Sequence, residues 1–175
     1  MYRGLVSMLL GLACGWFGAG CATGEKNMSS SPTSSEKKRV IILCTGNSCR
    51  SQMAEAFWRK YGGDRWEVVS AGTKPSGRVS PLAVQAMREV GIDLSGHQSK
   101  SLQPFVSQSF DLVITVCDGA EHECPVFSNA RQKLHWPFQD PVSAPGDEEE
   151  KMQVARRVRG EIEAKIRDYL SANKD

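Results

Sequence analysis

Short apolar runs alternate with longer stretches of helical spacing along most of this chain. Arg39-Val40-Ile41-Ile42-Leu43 reads as a buried strand, and further strands are predicted over 66–70, 111–116 and 133–136. Helical patterns fall between and after them, over 51–61, 81–91 and 147–172, with a short helix at 102–108. Ser80 before Pro81 supplies a cap and a first-turn proline, and Gly91 closes that helix. The last helix carries Ala155, Val158, Ile162, Ile166 and Tyr169 at three- and four-residue steps, one apolar stripe for packing on a sheet. Its opening Asp147-Glu148-Glu149-Glu150 suits the positive end of a helix, so this charge run needs no partner to explain it. The alternation predicts an α/β fold, a parallel open sheet flanked by helices.

Composition changes little in this picture. The 175 residues carry 22 Lys and Arg against 20 Asp and Glu, a formal charge of +2, which suggests neither nucleic acid nor a bulk anionic surface as partner. The length suits one domain, 39–175, behind an N-terminal segment. No repeats stand out.

The chemistry is concentrated where the first strand meets the first helix. Cys44-Thr45-Gly46-Asn47-Ser48-Cys49-Arg50-Ser51 places a cysteine, five residues, an arginine and a hydroxyl residue at a strand-to-helix turn. The backbone N–H groups of Thr45, Gly46, Asn47, Ser48, Cys49 and Arg50 are expected to cradle a tetrahedral anion, helped by the positive helix end. The same field should lower the pKa of Cys44 and make it the nucleophile. Arg50 adds a planar fork suited to two oxygens of phosphate or arsenate, and Ser51 can donate to the sulfur.

Six cysteines fall into three pairs: Cys14 and Cys21 in an apolar leader, Cys44 and Cys49 in the loop, Cys117 and Cys124 after the third strand. Strand carboxyl ends gather at one edge of an open α/β sheet, so Cys44 and Cys117 are expected to face the same site. Cys49 reads as packing and His97 as a loop residue without a link to the chemistry. Cys117 and Cys124 can also be read as buried small hydrophobes, or with His122 and His135 as a metal site, although their spacing fits no common zinc pattern.

The chain from about Lys38 onward resembles the thioredoxin-coupled arsenate reductases built on the low-molecular-weight tyrosine phosphatase fold. The resemblance rests on CTGNSCRSQMAEA, VSAG at 69–72, AMREVGID at 86–93, VITVC…CP at 113–125, HWPFQDP at 135–141 and the EEEK…RVR run at 148–159. It implies reduction of arsenate to arsenite by a three-thiol relay. Cys44 attacks arsenic, Asp140 protonates the departing oxygen, Cys117 forms a disulfide with Cys44, and Cys124 then takes over Cys117 for reduction by thioredoxin or another dithiol. No cofactor is implied, and a monomer is expected. A seven-residue helical separation of Cys117 and Cys124 would be about 10.5 Å, whereas a disulfide needs about 4.4–6.8 Å between Cα atoms. The segment 117–125 is therefore expected to rearrange with redox state. The runner-up is a phosphotyrosine or phosphoester phosphatase with Cys117 and Cys124 as a redox switch. Such phosphatases commonly place an aromatic residue soon after the Asp-Pro pair, whereas Asp140-Pro141 precedes Val142-Ser143-Ala144 here. An arsenite- or metal-binding thiol protein ranks last, since it leaves Arg50 and Asp140 without a role.

Some members hold a potassium ion behind the anion loop with an asparagine, a glutamate, a serine, a threonine and an aspartate. Asn47, Glu55 and Ser70 match the first three as a candidate residual cation site, while Gln98 and Lys100 stand at the last two. An ammonium in place of an aspartate would repel a cation and satisfy Glu55 itself. Activity indifferent to potassium is expected.

The N-terminus departs from that family. Residues 1–21 combine a short positive head, an apolar core and small residues before Cys21, the layout of an export signal with Cys21 as a candidate lipid-anchored membrane tether. Residues 22–38 read as a disordered Ser-rich tether, which would hold the enzyme roughly 20–25 Å from a membrane. These features point to the cell envelope, or to the cytoplasm if translation starts near Met28.

Overall fold

The computed structural model describes residues 37–117, 119 and 129–173. The leader with Cys14 and Cys21, the tether up to residue 36, and Cys124 with most of the 117–125 segment lie outside the described residues.

The predicted alternation is present. In chain order the elements are β1 (Lys38–Cys44), α1 (Arg50–Gly62), β2 (Trp66–Gly72), α2 (Pro81–Arg88), β3 (Phe110–Thr115), β4 (Ala130–His135) and α3 (Glu148–Ala172). All pairings are parallel, in the order β2-β1-β3-β4. Lys38, expected to end the tether, already pairs with Trp66 in the sheet. Val40, Ile41, Ile42 and Leu43 are buried on both faces, as a central parallel strand requires.

The order matters for the site. The chain leaves β1 toward β2 on one side and reaches β3 on the other, which makes the carboxyl end of β1 the switch point of the sheet. Leu43 pairs with Thr115, and the Val116 N–H donates to the Leu43 carbonyl at 2.8 Å. This register sets Cys117 beside the start of the loop that follows β1. Beyond β4, the Trp136 N–H donates to the Thr115 carbonyl at 2.8 Å and the Phe138 N–H to that of Val116 at 3.4 Å, carrying Asp140 to the same edge. Trp136 is anchored by stacking on Trp58 of α1 at 6.2 Å.

Helix α3 buries Met152, Ala155, Val158, Ile162, Ile166 and Leu170, while Tyr169 is half-buried against Trp58. The expected stripe is thus right in phase, with Leu170 taking the last core position. Its N-terminus is a capping box: the Glu150 N–H donates to Asp147 at 2.9 Å and the Asp147 N–H to the Glu150 carboxylate at 2.7 Å.

Three elements differ from expectation by three residues at one end. Regular helix α2 stops at Arg88, and the chain closes through Gly91, whose φ is +73°, with Ile92 N–H bonded back to the Met87 carbonyl. The helix expected at 102–108 is a 3₁₀ turn over Gln103–Phe105, closed by i→i+3 bonds such as Phe105 N–H to Leu102 O. Strand β4 starts three residues before 133, because Ala130-Arg131-Gln132-Lys133 lies at the sheet edge, where polar side chains face water and leave no apolar signal.

Candidate active site

The residues from Cys44 to Ser51 form a loop whose carbonyls are all engaged on its outer side. Main-chain N–H groups of Thr73, Lys74, Ser76 and Ser80 donate to the carbonyls of Cys44, Thr45, Gly46 and Ser48 at 2.8–3.3 Å. The Asn47 carbonyl accepts from Gln52 Nε2 at 2.9 Å, and that of Cys49 from the N–H groups of Gln52 and Met53. With the carbonyls committed outward, the loop amides are left to face the pocket, next to the N-terminus of α1. Asn47 takes the left-handed conformation (φ 45°) that this tight turn needs.

Cys44 lies at the floor, 3 % exposed. The Asn47 N–H donates to its Sγ at 3.1 Å, and Ser51 Oγ lies 3.1 Å away. Cys117 is buried alongside: its Sγ accepts from the Thr45 N–H at 3.3 Å and lies 3.5 Å from Thr45 Oγ1. Both sulfurs line one cavity of about 470 Å³, with Arg50, Asp140, Gly119 and Val142 at its walls. The structure therefore brings Cys44, Arg50, Ser51, Cys117 and Asp140 together; Cys124 lies outside the described residues.

The lowered pKa expected of Cys44 is not what this arrangement produces. A hydrogen bond with the Cys117 thiol and burial push Cys44 well above the ordinary thiol range, against the downward pull of Ser51 and Arg50. Two thiols in contact inside one buried pocket titrate as a pair. The sequence places Cys117 at the same sheet edge, but not in hydrogen-bond contact with Cys44. Cys49 is pushed up to about 12, by burial first and then by Asp140, which suits a packing role.

Arg50 and Asp140 meet directly. Arg50 Nη2 lies 2.9 Å from Asp140 Oδ2, and Nη1 donates to the Phe138 carbonyl at 3.0 Å. The arginine fork is thus held across the mouth by the segment after β4. The Val142 N–H donates to Asp140 Oδ1 at 3.1 Å, which orients the carboxylate from the other side.

Behind the loop lies a network that motif reading touched only in part. Asn47 Nδ2 donates to Ser51 Oγ at 3.0 Å and to Ser70 Oγ at 2.8 Å, and Ser70 Oγ donates to the Glu55 carboxylate at 2.5 Å. Burial works to raise the pKa of Glu55, but the Ser70 hydroxyl, Lys100 and Arg59 together hold it below the usual carboxylate range. Asn47, Glu55 and Ser70, the candidate cation residues, are thus side by side and bonded to one another.

Gln52 and His97 are residues that sequence reasoning missed. Gln52 Nε2 donates to the carbonyls of Asn47 and Gln98, so its Oε1 is left to accept from His97 Nδ1 at 2.9 Å. His97 is therefore one step from the loop rather than unconnected to it. Gly72 is another: a Cβ there would lie 2.6 Å from the Thr45 carbonyl oxygen and 3.0 Å from the Asn47 N. The VSAG segment held the signal, since a glycine ending a strand beside a tight loop marks close backbone approach.

A cysteine at the floor of an amide-lined anion loop, at the switch point of a parallel sheet, defines a thiol enzyme or binder acting on tetrahedral oxyanions. Comparison with known proteins narrows the class. The family model of the low molecular weight phosphotyrosine protein phosphatases matches residues 39–175, and the chain belongs to that family. It is 47 % identical over 138 residues to an arsenate reductase of Halalkalibacterium halodurans, covering 79 % of this chain and 99 % of that one. It is 44 % identical over 139 residues to an arsenate reductase of Bacillus subtilis, with the same coverage. Among solved structures, an arsenate reductase in the oxidized state superposes with a TM-score of 0.66 at 32 % identity, covering 77 % of this chain and 98 % of that one. A thioredoxin-dependent arsenate reductase of Corynebacterium glutamicum superposes with a TM-score of 0.63 at 27 % identity, covering 79 % of this chain and 63 % of that one.

Proposed function

We propose that this protein reduces arsenate to arsenite through a relay of three thiols, recharged by thioredoxin or a similar dithiol. The observation that carries the reading is the pair of thiols, Cys44 and Cys117, lining one anion-binding cavity. A phosphatase needs the first thiol and a water. A two-electron reduction needs a second sulfur within reach of the first.

The chemistry follows from the positions. An incoming arsenate takes the loop amides and the Arg50 fork, displacing Asp140 from its ion pair. The freed carboxylate then stands beside the bound anion, where it takes the proton given up by the Cys44 thiol and delivers it to the departing oxygen. The Cys44 sulfur bonds to arsenic as that oxygen leaves as water. Cys117, held by the Thr45 amide, gives up its proton to an arsenic-bound oxygen and attacks the Cys44 sulfur. An S–S bond forms, the S–As bond breaks, and its electron pair stays on arsenic, which leaves as arsenic(III). Cys124 then attacks Cys117, Cys44 departs as a thiolate, and the Cys117–Cys124 disulfide awaits the external dithiol. On the same reading, the leader and Cys21 hold the domain at the cell envelope, where an extracytoplasmic dithiol would recharge it.

The test is arsenate-dependent NADPH oxidation by the full chain with thioredoxin and thioredoxin reductase, beside Cys117→Ser and Cys124→Ser. Turnover in the wild type that both variants abolish is expected. No turnover, with p-nitrophenyl phosphate hydrolysed by all three proteins, would make the protein a phosphatase.

A further inference from the structure

The potassium site that family resemblance implies does not fit the residues present. Lys100 Nζ lies 3.2 Å from Glu55 Oε2 and 3.3 Å from the Gln98 carbonyl oxygen, so an ammonium sits among the oxygens a cation would need. A second positive charge there would meet direct repulsion. We infer that Lys100 is the built-in cation of this enzyme, a positioning residue that sets the hydrogen-bond polarity behind the anion loop in place of a bound monovalent ion.

The network has one consistent direction, and Lys100 holds it at both ends. Its backbone N–H can only donate, and it lies 2.7 Å from Asn47 Oδ1. That contact fixes the orientation of the Asn47 amide, so Nδ2 faces the hydroxyls of Ser51 and Ser70. Ser70 accepts from Asn47 and passes its own proton to Glu55 Oε2. Ser51 likewise accepts from Asn47, which leaves its proton for the Cys44 sulfur.

At the far end the Lys100 ammonium balances the Glu55 charge on the same oxygen that receives Ser70. Arg59 takes the other oxygen from a side chain 58 % exposed, whereas Lys100 is 30 % exposed and less screened. An uncompensated carboxylate buried here would tend to take up a proton and become a donor. The direction of Ser70 and Asn47 would then no longer be imposed.

This inference concerns the loop as an anion binder, so its test does not use arsenate reduction and stands or falls apart from the proposed activity. The full chain, Lys100→Asp and Lys100→Met are compared for melting temperature and for affinity toward inorganic phosphate. Each is measured in sodium and in potassium chloride at equal ionic strength. The wild type is expected to behave alike in both salts. Lys100→Asp is expected to melt several degrees lower in sodium and to regain stability and several-fold phosphate affinity in potassium. Lys100→Met, with the stem but no charge, is expected to lose several-fold phosphate affinity in sodium. A potassium response in the wild type would overturn the inference. So would two variants that match its melting temperature and phosphate affinity in sodium.

Discussion

The two sides of the anion loop are built on opposite plans. On the side away from the pocket, Asn47, Ser51, Gln52, Glu55 and Ser70 are at most 3 % exposed, and each is tied to its neighbours by hydrogen bonds of 2.5–3.0 Å. On the mouth side, Cys44, Cys117, Arg50 and Asp140 are held largely through contacts to sulfur and across an exchangeable ion pair. The rigid side fixes where the amides point before any anion arrives, which is where electrostatic catalysis gains most. On the proposed mechanism, the open side keeps the groups that must move: a carboxylate that lets go of an arginine, and a sulfur that changes partner. Rigidity and reactivity are separated by the thickness of one loop.

That contrast can be broken from either side. The largest effect is expected at the mouth, where Asp140→Asn removes the proposed acid while its half-buried position leaves the core untouched. A fall in kcat of about 10²–10⁴-fold with an unchanged urea midpoint is the expected result, and a wild-type kcat would remove Asp140 from the chemistry. On the rigid side, Gly72→Ala drives a methyl group into the Thr45 carbonyl. Overpacking of this kind costs about 1–3 kcal/mol. Urea unfolding should show that loss together with weaker phosphate binding, and a neutral outcome would mean the loop is not held as tightly as its contacts indicate.

The smallest effect sharpens the coupling of the two thiols. The Cys117 thiol is the largest influence raising Cys44, so Cys117→Ala should let Cys44 ionise at lower pH. The pH midpoint for iodoacetamide alkylation of Cys44, followed by mass spectrometry of the modified peptide, should shift downward. A midpoint that stays put or rises would show that burial alone holds the thiol up.

Much of this site is legible in the chain, for identifiable reasons. The loop is contiguous, so cysteine, arginine and serine at fixed spacing declare an anion cradle without any tertiary information. The apolar runs at 40–43 and 112–116 declare central strands, and strand ends in a parallel sheet converge on one edge. What escaped depends on partners distant in sequence. Gln52 looks like one more helix residue until His97, 45 positions away, is seen bonded to it. The direction of the Cys44 shift escaped because strand ends place the thiol 73 positions later at the same edge without showing that the Leu43–Thr115 register brings it into contact with Cys44.

The sequence by itself determined the fold class, the anion loop, the candidate nucleophile and the pairing of cysteines with strand ends, because each is written in local periodicity or contiguous motif. Lys100 stands out in the sequence as an ammonium at a position expected to be acidic, one that would repel a cation and satisfy Glu55. Only the tertiary structure decided that its amide also reaches Asn47 and so ties both ends of the network, since the contacts cross from the stretch after α2 to α1 and the loop. The physical reason is the range of the interactions involved. Hydrophobic periodicity acts along the chain, whereas hydrogen bonds and charges act over a few ångströms between whatever segments the packed sheet has brought together.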